Sequence, residues 1–250
     1  MVAAVLALLS AAVPPGPLAG LDSALAGLAA LGPVRARFTH RYTATAGDGK
    51  DAVRTEGEVS GEVAEGPGGL QITWPAELLQ RARAEERRRA TDPEARTPAR
   101  DGIIAVNTMD VARLLDAAAT LRDALDGATL LEDRPDTLDG AEARLLVLKL
   151  AVQLSPRDRH YVKEVEARLR LWLGPDGLPV AAESETKLSG RAFLVVTFKS
   201  EQRERWRFRR VGGRLVAVRH EDERHGEGAG DRGERSSVTT LEPDPQDRVP

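Results

Sequence analysis

The sequence predicts a mainly β protein with added helices, α+β in class, built on one large antiparallel sheet. Three observations predict it. Residues 34–42 alternate, with Val34, Ala36, Phe38, His40 and Tyr42 on one side and Arg35, Arg37, Thr39 and Arg41 on the other, the pattern of a strand with one buried face. At least eight more segments of this kind follow, mostly joined by turns that contain Gly or Pro. These turns are too short for the repeated helical crossovers that a parallel sheet needs.

Composition sets the outer limits. The chain has 250 residues, is 41% hydrophobic and 30% charged, and so can bury a core and stay in solution. A net charge of -3 gives no global attraction to nucleic acid or anionic lipid, and no nucleic-acid partner is expected. Basic residues are mostly Arg, with Lys50, Lys149, Lys163, Lys187 and Lys199 as the lysines, which reads as compositional bias rather than chemistry. Cysteine is absent, which excludes disulfides, thiol catalysis, cysteine metal sites and a lipidated cysteine anchor within this sequence. Residues 2–13 form an apolar run interrupted only by Ser10. It is too short to span a bilayer and fits the apolar region of an export signal, with Ser10-Ala11-Ala12 as the small-residue cleavage site. Residues 1–20 are therefore expected to be a leader, and the protein to be periplasmic or secreted, neither membrane-spanning nor lipid-anchored.

The elements follow in order. Leu21, Leu25, Leu28 and Leu31 have helical spacing, Asp22 or Ser23 can cap them, and Gly32-Pro33 stops the helix. A strand over 34–45 turns at Gly47-Asp48-Gly49 into a second over 53–65, whose glycines predict a bend or bulge. Gly66-Pro67-Gly68-Gly69 leads into 70–74, where Leu70, Ile72 and Trp74 share a face. Residues 76–90 read as a charged helix, 91–100 as a loop, and 108–126 as one amphipathic helix capped by Asn107 or Thr108, with Val111, Leu114, Leu115, Ala118, Leu121 and Leu125 on its stripe. Strands are then expected over 143–154, 161–173, 178–188, 191–199, 203–211, 214–221 and 236–241, with hairpin turns at Gly174-Pro175-Asp176-Gly177 and Gly212-Gly213. Residues 225–235 read as a Gly-rich charged loop, and 243–250 as a flexible tail.

This order of elements resembles a known family. A leader, a short helix, a first strand with Phe38 near its start, glycine-bearing strands, and a Pro-Gly turn into Leu70-Gln71-Ile72-Thr73-Trp74 are similar to the periplasmic lipoprotein-carrier superfamily, the LolA/LolB-like proteins and the related RseB sensor domain. The similarity covers nearly all of the chain after the leader. It implies a strongly curved antiparallel half-barrel over 21–242, closed by lid helices in an insert at 76–126, with acyl chains taken on the concave face. Where the carriers have a basic residue just before the proline, this chain has Glu65-Gly66-Pro67.

Several constellations read as structure. His220 and His225 flank Glu221-Asp222-Glu223-Arg224, but their five-residue spacing is not the four-residue helical spacing of a zinc protease, so no metal site is assigned. Gly228-Ala229-Gly230-Asp231-Arg232-Gly233 fits a dinucleotide pattern only as letters, because it opens no helix. In a strand, Trp206 and Phe208 point away from Arg203, Arg205, Arg207 and Arg209, which gives a charged outer face over a buried aromatic one. Glu85–Arg89 reads as an exposed helix face with i,i+4 pairs. No nucleophile elbow or P-loop occurs, and no catalytic residue or cofactor is assigned.

The inward aromatic and aliphatic set is either core or ligand lining. Phe38, Tyr42, Leu70, Ile72, Trp74, Leu114, Leu115, Leu121, Trp206 and Phe208 are the candidate lining residues, with Trp172, Phe193 and Phe198 in the wider inward set. The expected function is non-enzymatic: a carrier or sensor of an apolar ligand, namely acyl chains, lipid or a lipidated protein. The alternative is an envelope protein–protein interaction module with a filled core and no lipid cargo. A hydrolase or metal enzyme built on His220 and its acidic neighbours is the weakest reading. If the leader is an export signal, N-terminal sequencing of protein from its native host will find cleavage at or shortly after Ser10-Ala11-Ala12; a cytosolic chain beginning at Met1 would contradict export.

Overall fold

The computed structural model describes residues 17–28, 32–47, 52–156, 158–192, 196–228 and 231–244. Five α-helices, one short 3-10 helix (Asp158–His160) and ten strands form there. Helix α1 (Pro17–Ala26) is followed by β1 (Val34–Ala46), β2 (Val53–Gly66) and β3 (Gly69–Thr73). Four helices come next: α2 (Ala76–Thr91), α3 (Pro98–Ala105), α4 (Thr108–Leu115) and α5 (Ala117–Leu125). The remaining strands are β4 (Thr129–Leu138), β5 (Ala141–Lys149), β6 (Val162–Leu173), β7 (Pro179–Ala192), β8 (Val196–Val211), β9 (Arg214–Gly228) and β10 (Asp231–Pro243).

All ten strands belong to one antiparallel sheet, ordered β3-β2-β1-β10-β9-β8-β7-β6-β5-β4. Each strand pairs with its sequence neighbour except at one place: β1 pairs with β10, from Ala36↔Pro243 to Ala46↔Gly233. The sheet is open, with β3 and β4 as its edges, and α2–α5 form the connection between these two edges.

Several expectations need correction. The first helix starts at Pro17, within the segment assigned to the leader, because proline suits the first helical position. Neither Asp22 nor Ser23 caps it: Asp22 accepts a hydrogen bond from Arg122 at 2.8 Å and Ser23 donates back to the Ala19 carbonyl. Residues 98–100 are not loop but the start of α3. The Glu85 carboxylate, buried on α2, accepts from the backbone N–H of Ala99 and Arg100 at 2.9 Å each. This caps α3 from another helix, which local sequence does not show. It also means that Glu85 is not on an exposed face. The expected helix over 108–126 is two helices, since Asp116 leaves helical geometry and its side chain accepts from Ala119 N–H to start α5.

Strand β4 has no counterpart in the expectation. Its charged, proline-containing sequence lacks alternation, and it forms at the sheet edge, where Pro135 removes no interior ladder bond. The three strands expected over 178–211 are two long ones, β7 and β8, and Phe193 lies outside the described residues. Residues 225–228 and 231–235 are strand rather than loop, because cross-strand pairing overrides the high glycine content.

The glycines of β2 mark no bulge, since the β1–β2 register is continuous. They make room. Phe38 lies opposite Gly61 and Tyr42 opposite Gly57, and a Cβ at Gly61 would sit 2.9 Å from the Phe38 ring and from the Thr73 carbonyl oxygen. At Gly57 it would sit 2.7 Å from both the Tyr42 ring and the Pro98 carbonyl oxygen. Glycine here lets an aromatic ring lie across the neighbouring strand. Gly61→Ala is expected to lose roughly 1–3 kcal/mol in denaturant unfolding, against a few tenths for Gly226→Ala, whose nearest new contact is at 4.0 Å.

Candidate functional site

Strand parity divides the sheet into two chemically different faces. One face is a checkerboard of charge. Arg170, Glu183, Arg205 and Glu221 stand side by side across β6 to β9, and Arg41 and Glu58 continue the row on β1 and β2. The next row runs Lys149, Arg168, Glu185, Arg203 and Glu223. Ion pairs follow the rows: Arg203 reaches Glu183 and Glu185 at 3.6 and 3.4 Å, Arg205 reaches Glu221 and Glu223 at 3.3 Å, and Arg41 meets Glu58. Opposite charges directly across a strand pair add a few tenths of a kcal/mol each. This explains the Arg203–Arg210 run, whose odd-numbered arginines lie on this face.

The depression at the β6–β9 end belongs to the charged face. It has a volume of about 1170 Å³ and is lined by Lys149, Lys163, Lys187 and Lys199 among others. The four lysines among the described residues are thus grouped in space rather than scattered, yet Lys187 and Lys199 are neutralised by Glu185 and Glu227 at 3.0 and 3.3 Å. None of the ten candidate lining residues borders this depression.

The other face carries the helices. Its apolar end and the stripe of α4 and α5 form one continuous cluster with α1, containing Phe38, Leu114, Leu115 and Leu121 and, around them, Leu70, Ile72, Trp74, Trp206 and Phe208. Phe38 meets Trp74 edge-to-face at 5.3 Å. Nine of the ten candidate lining residues are therefore brought together. Tyr42 stands apart, buried beside Gly57 and α3.

Further along this face lies a polar layer that sequence reasoning missed. One row reads Ala182, Trp206, His220, Thr239, His40, and the next Ser184, Glu204, Asp222, Ser237, Tyr42. His40 Nδ1 and the Thr239 hydroxyl share a hydrogen bond of 2.9 Å. His220 stacks on Trp206 at 5.2 Å and places Nε2 3.3 Å from Glu204, whose other oxygen accepts from the Ser184 hydroxyl at 3.4 Å. Gln202 donates to Asp222 at 2.9 Å, and Arg224 forms an ion pair with the same carboxylate at 2.9 Å. The Tyr42 hydroxyl is buried with no hydrogen-bond partner among the described residues. Burial first, then the carboxylates of Asp101 and Glu85, pushes it up to about 12. Part of the signal for this layer was in the sequence: His40 shares its parity with Val34, Ala36 and Phe38, and Gln202 and Glu204 share theirs with Phe198, Trp206 and Phe208.

The arrangement limits the chemistry. Ser184, Glu204 and His220 contact in that order, with the carboxylate in the middle. A nucleophile relay needs the imidazole between hydroxyl and acid, so this trio does not activate Ser184. His220 and His225 lie on opposite faces of β9, with His225 facing Glu234 at 3.7 Å, and cannot share an ion. Both sit within β9, not at a strand end as the sequence implied.

His40 is lowered from 6.5 to about 4, chiefly by burial and then by the nearby charges of Arg235 and His220, with Asp110 on α4 opposing. Its folded value lies below its unfolded one, so the unfolded chain binds the extra proton between those two values. The stability contributed by neutral His40 is complete above about 6.5 and is lost as pH falls towards about 4, by up to ~3 kcal/mol. His40→Gln should flatten the pH dependence of unfolding free energy in this window; an unchanged slope would assign the effect elsewhere.

The polar layer and the helix-covered apolar end are therefore defined by this chain's own geometry: no family model, no curated protein and no solved structure matches it.

Proposed function

We propose that the chain is a non-enzymatic, exported binding protein that takes an apolar ligand, an acyl chain, a lipid or the acyl group of a lipidated protein, between the inner sheet face and α4–α5. The observation that carries this reading is the placement of an amphipathic helical pair, linked to both edges of an open sheet, on the apolar end of one face. A lid must be apolar on one side, connected to its frame at both ends, and separable from it. The break at Asp116 gives α4–α5 a joint. Curvature into a half-barrel is supported by Arg214 of β9, which reaches Glu65 of β2 across two intervening strands. In a flat sheet those strands would stand about 14 Å apart, and curvature shortens that gap. Glu65 of the Glu65-Gly66-Pro67 segment thus has a partner of its own.

One observation favours the alternative of a filled interaction module. Leu115, Leu146, Leu148 and Leu171 are fully buried at 0% exposure, so the contact between helices and sheet is closed as it stands. Ligand entry requires α4–α5 to lift, exposing apolar surface that the ligand then covers again. A fluorescent fatty-acid probe separates the two readings. The carrier reading expects the wild type to bind the probe and to yield lipid in organic extracts of natively purified protein. Leu115→Asp, which puts an unpaired charge at the helix contact, should weaken uptake several-fold, with unfolding measured alongside to confirm a folded variant. A wild type that binds no probe and carries no lipid would leave the interaction-module reading in its place.

A further inference from the structure

We propose that Arg235, with Arg224 opposite it, recognises the oxyanion head group, carboxylate or phosphate, of an acyl ligand at the open end of the inner sheet face. This rests on the carrier reading and names the ligand class it would take.

The two arginines break the charge pattern of the molecule. On the outer face, base and acid alternate across four strands in the rows Arg170-Glu183-Arg205-Glu221 and Arg168-Glu185-Arg203-Glu223, with Lys149 beside Arg168 as a like-charged pair at one end. On the inner face, Arg224 of β9 and Arg235 of β10 are direct cross-strand partners. Like charges placed directly opposite are destabilising. Arg207 and Arg219 are also opposed, but each has its own carboxylate, Asp139 at 3.0 Å and Glu221 at 2.7 Å. Arg224 has Asp222. Arg235 has no ion pair with any described residue. Glu204 contacts His220 and Ser184, and Asp222 contacts Arg224 and Gln202, so neither carboxylate of the inner polar rows pairs with Arg235.

The surroundings suit an anion with an apolar tail. The row of Arg235 holds Thr186, Gln202, Arg224 and Ala44, with no acid. Its β1 neighbour Ala44 is small, and Gly226 and Gly233 in the following row add no side chain. Guanidinium forks bind carboxylate and phosphate through paired N–H donors. Between this site and the apolar end, the hydroxyls, imidazoles and carboxylates are largely satisfied by one another. An acyl chain lying across them would therefore not have to take over their hydrogen bonds.

The test compares dodecanoic acid, dodecyl phosphate and methyl dodecanoate as competitors of the fluorescent probe at neutral pH. The wild type is expected to hold both anions about tenfold more tightly than the ester, the value of one charge-assisted contact. The tighter of the two anions identifies the head group. In Arg235→Gln the preference for anions should vanish, while the ligand-free protein unfolds no earlier than the wild type, because an opposed like charge has gone. Arg235→Lys, which keeps the charge and loses the fork, should fall between. Equal binding of acid and ester by the wild type, or a preference unaltered in Arg235→Gln, would overturn the head-group site and leave the carrier reading standing. Failure of all three competitors and the probe to bind would remove both.

Discussion

The pairing of β1 with β10 is the constraint on which the rest of the structure depends. Every other strand pair joins sequence neighbours, so each could form as a local hairpin or, for the two edges, remain unpaired. Without the β1–β10 register from Ala36↔Pro243 to Ala46↔Gly233, the unit β1–β3 and the meander β4–β10 would be two sheets. Joining them brings the first strand beside the last. It sets Phe38 against Leu241, His40 against Thr239 and Tyr42 against Ser237. The apolar end and the polar layer both straddle this junction. It closes the longest loop in the chain, which makes it entropically the most expensive contact to form and a reason for a slow late step in folding.

The two faces then diverge for a simple reason. Strand side chains alternate, so a fixed register assigns each residue to a face at once. The outer face is stabilised by many weak opposite-charge pairs, and the inner face by burial. Leu114, Leu115 and Leu121 of the helical insert meet Leu146, Leu148, Leu169 and Leu171 of β5 and β6 in the same cluster that holds Phe38 and Leu241. The insert thus bridges parts of the sheet that are distant in sequence. Arg214, almost fully buried, performs a similar role with charge: it joins β9 to Glu65 of β2 and donates to the Gly32 carbonyl before β1. Removing Glu65 would leave the buried Arg214 charge without its ion-pair partner, a change that for buried pairs ordinarily costs about 3–5 kcal/mol.

The polar layer occupies a boundary. On one side helices and leucines exclude water; on the other the sheet face opens to solvent. Groups at such a boundary can be buried if they satisfy one another, and they do so in two sets, His40 with Thr239, and His220 with Glu204 and Ser184. Burial also keeps His40 neutral well below its ordinary range. The result is a fixed, mostly self-satisfied polar surface next to an apolar interior. Its Ser–Glu–His contact order differs from that of a nucleophile relay, which needs the imidazole in the middle.

The sequence by itself determined what depends on period and local chemistry. Alternation located nine of the ten strands approximately, the glycine turns placed several of the hairpins, Asn107 was identified as a helix cap, and the outward direction of Arg203, Arg205 and Arg207 followed from parity. It also showed that Phe38, Trp206 and Phe208 face inward. Only the tertiary structure decided what depends on a distant partner. Strand β4 has no alternation and exists because β5 supplies its ladder. Helix α3 begins where Glu85 of α2 caps it. The glycines of β2 are spaces for the rings of β1 rather than breaks. His40 and His220, far apart along the chain, share a polar layer because β10 lies between their strands. Local sequence fixes dihedral preferences and side-chain parity, whereas a cap, an edge strand or a buried polar contact requires two groups that only the closed register brings within hydrogen-bonding distance.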